Sequence, residues 1–168
     1  MELYLVQHGA AKTEAEDPER SLTEEGRRTV ARTAEFLSRL GLGLDRIEHS
    51  GKRRARETAE ILEARLKSPV VEQKAGLGPN DDVEPLCQRL SRESGRLMVV
   101  GHLPYLARLV ARLVGAEPDR APVRFEMGGV VRLDRDSAGR WMVRWALPPE
   151  LVAAYAVGAA AKAQTPGD

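Results

Sequence analysis

Two short apolar runs in this chain stop abruptly at polar clusters built around a histidine. That repeated arrangement limits the fold more than any other feature. Leu3-Tyr4-Leu5-Val6 gives way to Gln7-His8-Gly9, and Leu97-Met98-Val99-Val100 gives way to Gly101-His102-Leu103-Pro104. A short, continuous run of β-formers reads as a strand covered on both faces, because an open face would alternate with polar residues. Leu44 to Glu48 is a third strand candidate, followed by the polar cluster Ser50 to Arg54. Helical stripes separate these strands. Ser21-Leu22-Thr23-Glu24 is a helix start, with a hydroxyl cap and acids in the first turn, and Val30, Ala34 and Leu37 continue it. Ala55, Ala59, Leu62 and Leu66 make Arg53 to Leu66 an amphipathic helix. Val83, Leu86 and Leu90 mark another, and Pro104 to Leu113 a fourth, with Leu106, Leu109, Val110 and Leu113 turned inward.

The remaining segments complete the outline. Pro69 to Val71 begins a short strand, and Gly76 to Asn80 is a loop by its turn residues. Val123 to Leu133 and Arg140 to Trp145 read as two strands of a hairpin joined by Asp134 to Gly139. Trp141 and Trp145 fall at period two, which predicts that both pack on one face. The expectation is therefore an α/β fold: a single domain with a mostly parallel central sheet, helices on both faces and an antiparallel hairpin near the C-terminus. The domain is expected over residues 1–152. Residues 153–168 form an alanine-rich C-terminal tail, read as a marginal helix running into disorder.

Composition narrows the function. With 168 residues, 42% of them hydrophobic, the chain can bury a real core. A net charge of +1 argues against a general nucleic-acid binder. Only five of the 26 basic residues are lysines, and the guanidinium fork of arginine matches phosphate oxygens. Cys87 is the single cysteine, which rules out an intramolecular disulfide and a cysteine-based zinc site and fits a reducing cytoplasm. No signal peptide opens the sequence, and the apolar stretch Ala153 to Ala161 is too short to span a bilayer, so no membrane association is expected. His8, His49 and His102 lack the spacing and carboxylate neighbours of a catalytic metal site, so no metal or other cofactor is expected. Neither a Walker-type phosphate loop nor a G-x-S-x-G elbow is present.

The three polar clusters share one placement, just beyond the carboxyl end of a strand. In open α/β sheets ligands bind in that crevice, so clusters far apart in sequence are expected to meet there. Two histidines and an arginine facing one small volume call for an anionic substrate. A neutral imidazole at His8 is a competent nucleophile near neutral pH. Gly9 is read as room for a substrate beside His8. Arg54 can hold two phosphoryl oxygens at once. His102 precedes Pro104 at a helix start, where backbone amides favour an anion. Phosphoryl transfer needs mainly positioning and charge stabilisation, so these parts suffice without a metal. His49 is read as a strand-end polar residue. The run Lys52 to Arg56 is read as a solvated first turn with only Arg54 turned inward.

Four segments together resemble a known family. Leu5-Val6-Gln7-His8-Gly9, Leu22-Thr23-Glu24-Glu25-Gly26-Arg27, Ser50 to Ala59 and Gly101-His102 look like the histidine phosphatase superfamily, in matching order over roughly residues 1–147. The short length and the Gly101-His102-Leu103-Pro104 form resemble its SixA-type phosphohistidine phosphatases. The resemblance implies a phosphohistidine intermediate on His8, with Arg54 and His102 binding the phosphoryl group. The family's first motif is usually Arg-His-Gly, and here Gln7 stands in the arginine position, offering an amide without charge.

Many family members protonate the leaving oxygen with a carboxyl group. Candidates here are Glu14, Glu16 and Asp17 after His8, and Asp81 and Asp82 after Pro79; the sequence does not choose among them. A phosphohistidine protonated on its other nitrogen leaves as neutral imidazole, whose conjugate acid has a pKa near ~6.5, and so demands little of an acid. The leading expectation is therefore a phosphatase for phosphohistidine in a protein partner. A broad phosphomonoesterase for small phosphorylated substrates is the runner-up. A phospho-ligand-binding module with little turnover is the alternative that Gln7 suggests.

Overall fold

The computed structural model describes residues 1–67, 70–117, 120 and 122–163. Its elements alternate along the chain as β1 (Glu2–Gln7), α1 (Glu24–Ser38), β2 (Arg46–His49), α2 (Arg53–Leu66), β3 (Val71–Gln73), α3 (Glu84–Arg92), β4 (Arg96–Gly101) and α4 (Tyr105–Val114). The hairpin β5 (Val130–Arg135) and β6 (Trp141–Leu147) and the helix α5 (Pro149–Ala163) follow. The strands form one sheet in the order β3-β2-β4-β1-β5-β6. The first four are parallel, β5 runs antiparallel to β1, and β6 antiparallel to β5. This is the expected single α/β domain.

Side-chain alternation along β1 builds two cores. Leu3 and Leu5 join Leu97 and Val99 against α3 and α4, through Leu86, Leu90, Leu106 and Leu109. Tyr4 and Val6 join Met98 and Val100 against α1 and α2, through Val30, Leu37, Ala59 and Leu62. A central strand with helices on both sides has no face left for polar residues, which is why its sequence is a continuous apolar run. Thr23 caps α1, its hydroxyl accepting the Gly26 amide at 3.0 Å.

Three expectations about the C-terminal third change. Residues 123–129 are not strand. Gly128 adopts φ +81° and its amide donates to Gln7 O at 2.9 Å, while its carbonyl accepts from Thr33 Oγ1 at 2.9 Å. A turn thus takes the hydrogen bonds that a longer β5 would need. The two tryptophans also part company. Arg132 pairs with Trp145 but Leu133 pairs with Val143, so Arg144 is an extra residue that shifts the phase of β6. Trp141 therefore packs with the α3/α4 core and Trp145 against Tyr4 on the other face. The tail helix begins at Pro149, earlier than Ala153, and Val152 is buried. Pro69 and residues 164–168 lie outside the described residues.

Glu48 is fully buried in β2 and stays ionised because two arginines hold it, Arg89 through both carboxylate oxygens and Arg46 at 3.0 Å. Removing Arg89 leaves a buried carboxylate with one partner. Arg89→Ala is expected to cost about 3 kcal/mol. Arg28→Ala, which breaks an exposed pair with Glu24, is expected to cost under about 0.5 kcal/mol. Urea denaturation of the two variants checks the contrast.

Candidate active site

The sheet order explains the site. β2, β4 and β1 are neighbours and parallel, so the residues after each emerge side by side at one edge. The His8 amide donates to Gly101 O at 3.1 Å, extending the β1–β4 ladder one residue beyond β1. The rings of His8 and His102 consequently lie 4.9 Å apart, centroid to centroid. Both are buried, at 8% and 2% exposure. Arg54, in the first turn of α2, donates from Nε to His8 Nε2 at 3.2 Å. Ser50 Oγ lies 2.6 Å from His102 Nε2. Sequence reasoning placed His8, Arg54 and His102 in one crevice, and the structure brings all three together.

The hydrogen bonds fix the His8 tautomer. Nδ1 lies 2.7 Å from Gly9 O, and a carbonyl only accepts, so Nδ1 carries the proton. The lone pair is then on Nε2, the nitrogen that faces Arg54. Burial holds the His8 pKa down at about 4, opposed by the Gly9 carbonyl and aided by the Arg54 and Arg20 charges. Burial, then His8, Arg54, Lys52 and Arg20, lower His102 to about 3. Both rings are neutral at physiological pH.

Gln7 ends β1 beside His8, nearly buried, with Oε1 lacking a partner. His102 Nδ1 is also buried without a partner. The His102 carbonyl accepts the Leu106 amide at 2.9 Å, so that amide of α4 anchors the histidine rather than facing a ligand. Gly9 has a different reason from the one read in the sequence. A Cβ there would stand 2.8 Å from Val30 Cγ2 and 3.0 Å from Gly26 O, and one on Gly26 would stand 2.1 Å from Ala10 O. The two glycines let the chain after His8 pass against α1. His49 stays outside, its Nδ1 accepting the Gly51 amide at 3.1 Å.

None of the proposed acids acts on either histidine. Asp82 accepts the Glu84 amide and Asp81 the Gly78 amide, at 3.0 and 2.7 Å. Glu16 braces Thr13, Asp17 braces Ser21, and Glu14 is exposed. Among the described residues, the charged side chains that bear most on the two histidines are cations: Arg54 and Arg20 on both, and Lys52 on His102. Arg20 is among them, a residue that sequence reasoning did not single out. A hollow of about 410 Å³ adjoins Ser50, lined also by Lys52, Gly78, Asn80 and Asp81. A second, of about 450 Å³ between α1 and α5, holds none of these groups. Among the described residues no three His, Cys, Asp or Glu side chains gather as metal ligands, and no helix is long and apolar enough to cross a membrane.

Comparison with known proteins follows the same lines. Residues 3–77 match the model of the histidine phosphatase superfamily, branch 1. An uncharacterized protein of Picosynechococcus is 37% identical over 113 residues, 63% of this chain and 68% of that protein. The protein histidine phosphatase SixA complexed with tungstate superposes with a TM-score of 0.81 at 25% identity, over 90% of this chain and 99% of that one. The α-ribazole phosphatase of Shigella flexneri shares the fold, with a TM-score of 0.75 at 18% identity over 89% and 97% of the two chains.

The neutral histidines carry a cost in acid. Between about pH 6.5 and pH 4 the unfolded chain binds a proton at His8 that the folded chain refuses. Stability should therefore fall on acidification through that window, by roughly 3 kcal/mol for this ring, and this contribution should level off below it. In His8→Asn the fall between those limits should be shallower, as read by denaturant melts at stepped pH.

Proposed function

The chain belongs to the histidine phosphatase superfamily, and from that premise we propose a metal-independent phosphatase that works through a phosphohistidine on His8 and acts on phosphohistidine in proteins. The observation that carries the substrate reading is the charge field: two neutral imidazoles among cations, with no carboxylate among the described residues bonded to either. His8 Nε2 attacks phosphorus with its lone pair. Arg54, already touching that nitrogen, moves onto the phosphoryl oxygens, and His102 and the Gln7 amide flank them. The bond from phosphorus to the leaving atom breaks, and the pair goes to that atom. When the leaving atom is a nitrogen of a doubly substituted imidazolium, the product is neutral imidazole and no acid is required. Water then attacks the phosphoryl group on His8. Phosphate departs, the P–N electron pair returns to Nε2, and Nδ1 keeps its proton on Gly9 O throughout. The water proton leaves with phosphate or to solvent.

Both half-reactions thus expel a neutral imidazole, so one acid-free site serves for both. Cytoplasmic localisation and a protein partner, rather than nucleic acid or membrane, accompany this reading. A second reading, a phosphomonoesterase for small molecules, is favoured by the hollow beside Ser50, which has room for the rest of a metabolite.

His8→Ala should abolish turnover with the fold intact, and mass spectrometry after acid-free quenching should find the phosphoryl adduct on His8 of the wild type. Activity should survive exhaustive EDTA treatment; loss restored by one divalent ion would defeat the metal-free mechanism. The decisive measurement is kcat/KM across leaving groups of graded pKa. Phosphohistidine and aryl phosphates should be cleaved far faster than phosphoserine. Equal rates on alkyl phosphates, falling steeply in Asp81→Asn or Asp82→Asn, would favour the phosphomonoesterase instead.

A further inference from the structure

We propose that Arg20 is the second phosphoryl-binding guanidinium of this site, completing with Arg54 the charge needed to hold a phosphoryl dianion. The proposal rests on the phosphatase reading and names a residue that reading did not use. The need is electrostatic. A phosphoryl group brings up to two negative charges. His8 and His102 are neutral and Gln7 is uncharged, so among the described residues Arg54 is the one cation hydrogen-bonded to His8.

The loop geometry brings Arg20 there. The chain after His8 forms a narrow ribbon with residues 21–23: Thr23 N donates to Ala10 O at 2.9 Å, Lys12 N to Ser21 O at 2.9 Å, and Ala11 bridges Leu22. The far side of the ribbon is tied to the first turn of α2. Glu19 pairs with Arg53, and the Leu22 amide donates to Glu57 Oε2 at 2.8 Å. Arg20 is thus fixed on both flanks to the turn that carries Arg54. Its backbone sits at φ +53°, a left-handed conformation that Asn and Gly take more readily than Arg. The backbone alone would select a different residue here.

The charge is also left free. Arg27 and Arg53 pair with Glu57 at 2.8 and 3.0 Å, and Arg56 with Glu60 at 3.7 Å. Among the described residues Arg20 and Arg54 have no such carboxylate. The Arg20 side chain is held by Nε alone, to Lys12 O at 3.3 Å, so its terminal nitrogens remain available. Its charge bears on His8, His102 and Arg54 alike, whereas that of Lys52 bears on His102 but not on His8 or Arg54. A ligand between the two histidines would therefore lie in the field of Arg20.

The test uses the full chain, with inorganic phosphate and orthovanadate as probes, read by calorimetry so that turnover is not required. Arg20→Asn keeps a residue suited to the left-handed backbone and removes the charge. Arg20→Lys keeps the charge. The Asn variant should bind both anions about tenfold or more weakly, with a shallower salt dependence and an unchanged melting temperature. The Lys variant should recover most of the affinity, and kcat/KM on an aryl phosphate should follow the same order. Unchanged affinity in Arg20→Asn, with Arg54→Ala abolishing binding, would overturn the role of Arg20 and leave the phosphatase reading standing. If the wild type binds the anions without turnover and Arg20→Asn binds them more weakly, Arg20 is supported and the phosphatase reading is defeated. No anion binding by the wild type would defeat both.

Discussion

The pairing of β1 with β4 is the constraint from which the rest of the site follows. Parallel neighbours end at the same edge of a sheet, so whatever follows each strand is delivered to a common place. Here the ladder runs one step past the end of β1, from the His8 amide to the Gly101 carbonyl, and His102 is the next residue. That single bond sets the spacing of the two rings. It also sets their burial, because each ring stands above a central strand packed on both faces by helices. Burial in turn keeps the rings neutral, and a neutral ring with its Nδ1 proton engaged presents a lone pair on Nε2. That Nε2 lone pair is a consequence of where two strands end.

The charged residues divide along a matching line. Carboxylates that are buried are consumed by structural work. Glu48 is held by Arg46 and Arg89 within the sheet, and Glu57 takes Arg27, Arg53 and the Leu22 amide at the start of α2. Desolvation pushes both pKa values up, and hydrogen bonds with guanidinium charges outweigh it and hold both below the usual carboxylate value. Each is neutralised by its own partners and adds no field at the histidines. Among the described residues Arg20 and Arg54 have no acidic partner, so the crevice keeps a positive field. A carboxylate at the same place would raise both imidazole pKa values and repel a phosphoryl oxygen.

The fold was legible because its hydrophobic pattern is unambiguous in the central strands and in α1, α2 and α4. His8, Arg54 and His102 were legible because each sits within a few residues of a strand end, and topology does the rest. Arg20 was not, since its reach depends on ties from Glu19 and Leu22 to a helix more than thirty positions away. Gly9 was misread for a related cause: its neighbours Val30 and Gly26 come from another element, and no local pattern announces them. The tryptophans show the limit of periodicity. One extra residue at Arg144 reverses the phase of β6, and nothing in the sequence marks a bulge at an arginine. The turn at Gly128 was hidden among β-formers, although two consecutive glycines were the available signal.

A general acid is needed when the departing atom would otherwise carry negative charge. In the proposed cycle a histidine nucleophile would remove that need from its own half, because dephosphorylating His8 would expel a neutral ring with its proton already placed on Gly9 O. The need then survives only for the incoming substrate. Asp81 and Asp82 each accept a backbone amide in the loop before α3, so recruiting either as an acid would first require a bond in that loop to break. Substrates whose leaving group is itself an imidazole ask for no such rearrangement. On the proposed reading, the chemistry of the leaving group, rather than the shape of an enclosing pocket, would be the physical basis on which this site discriminates.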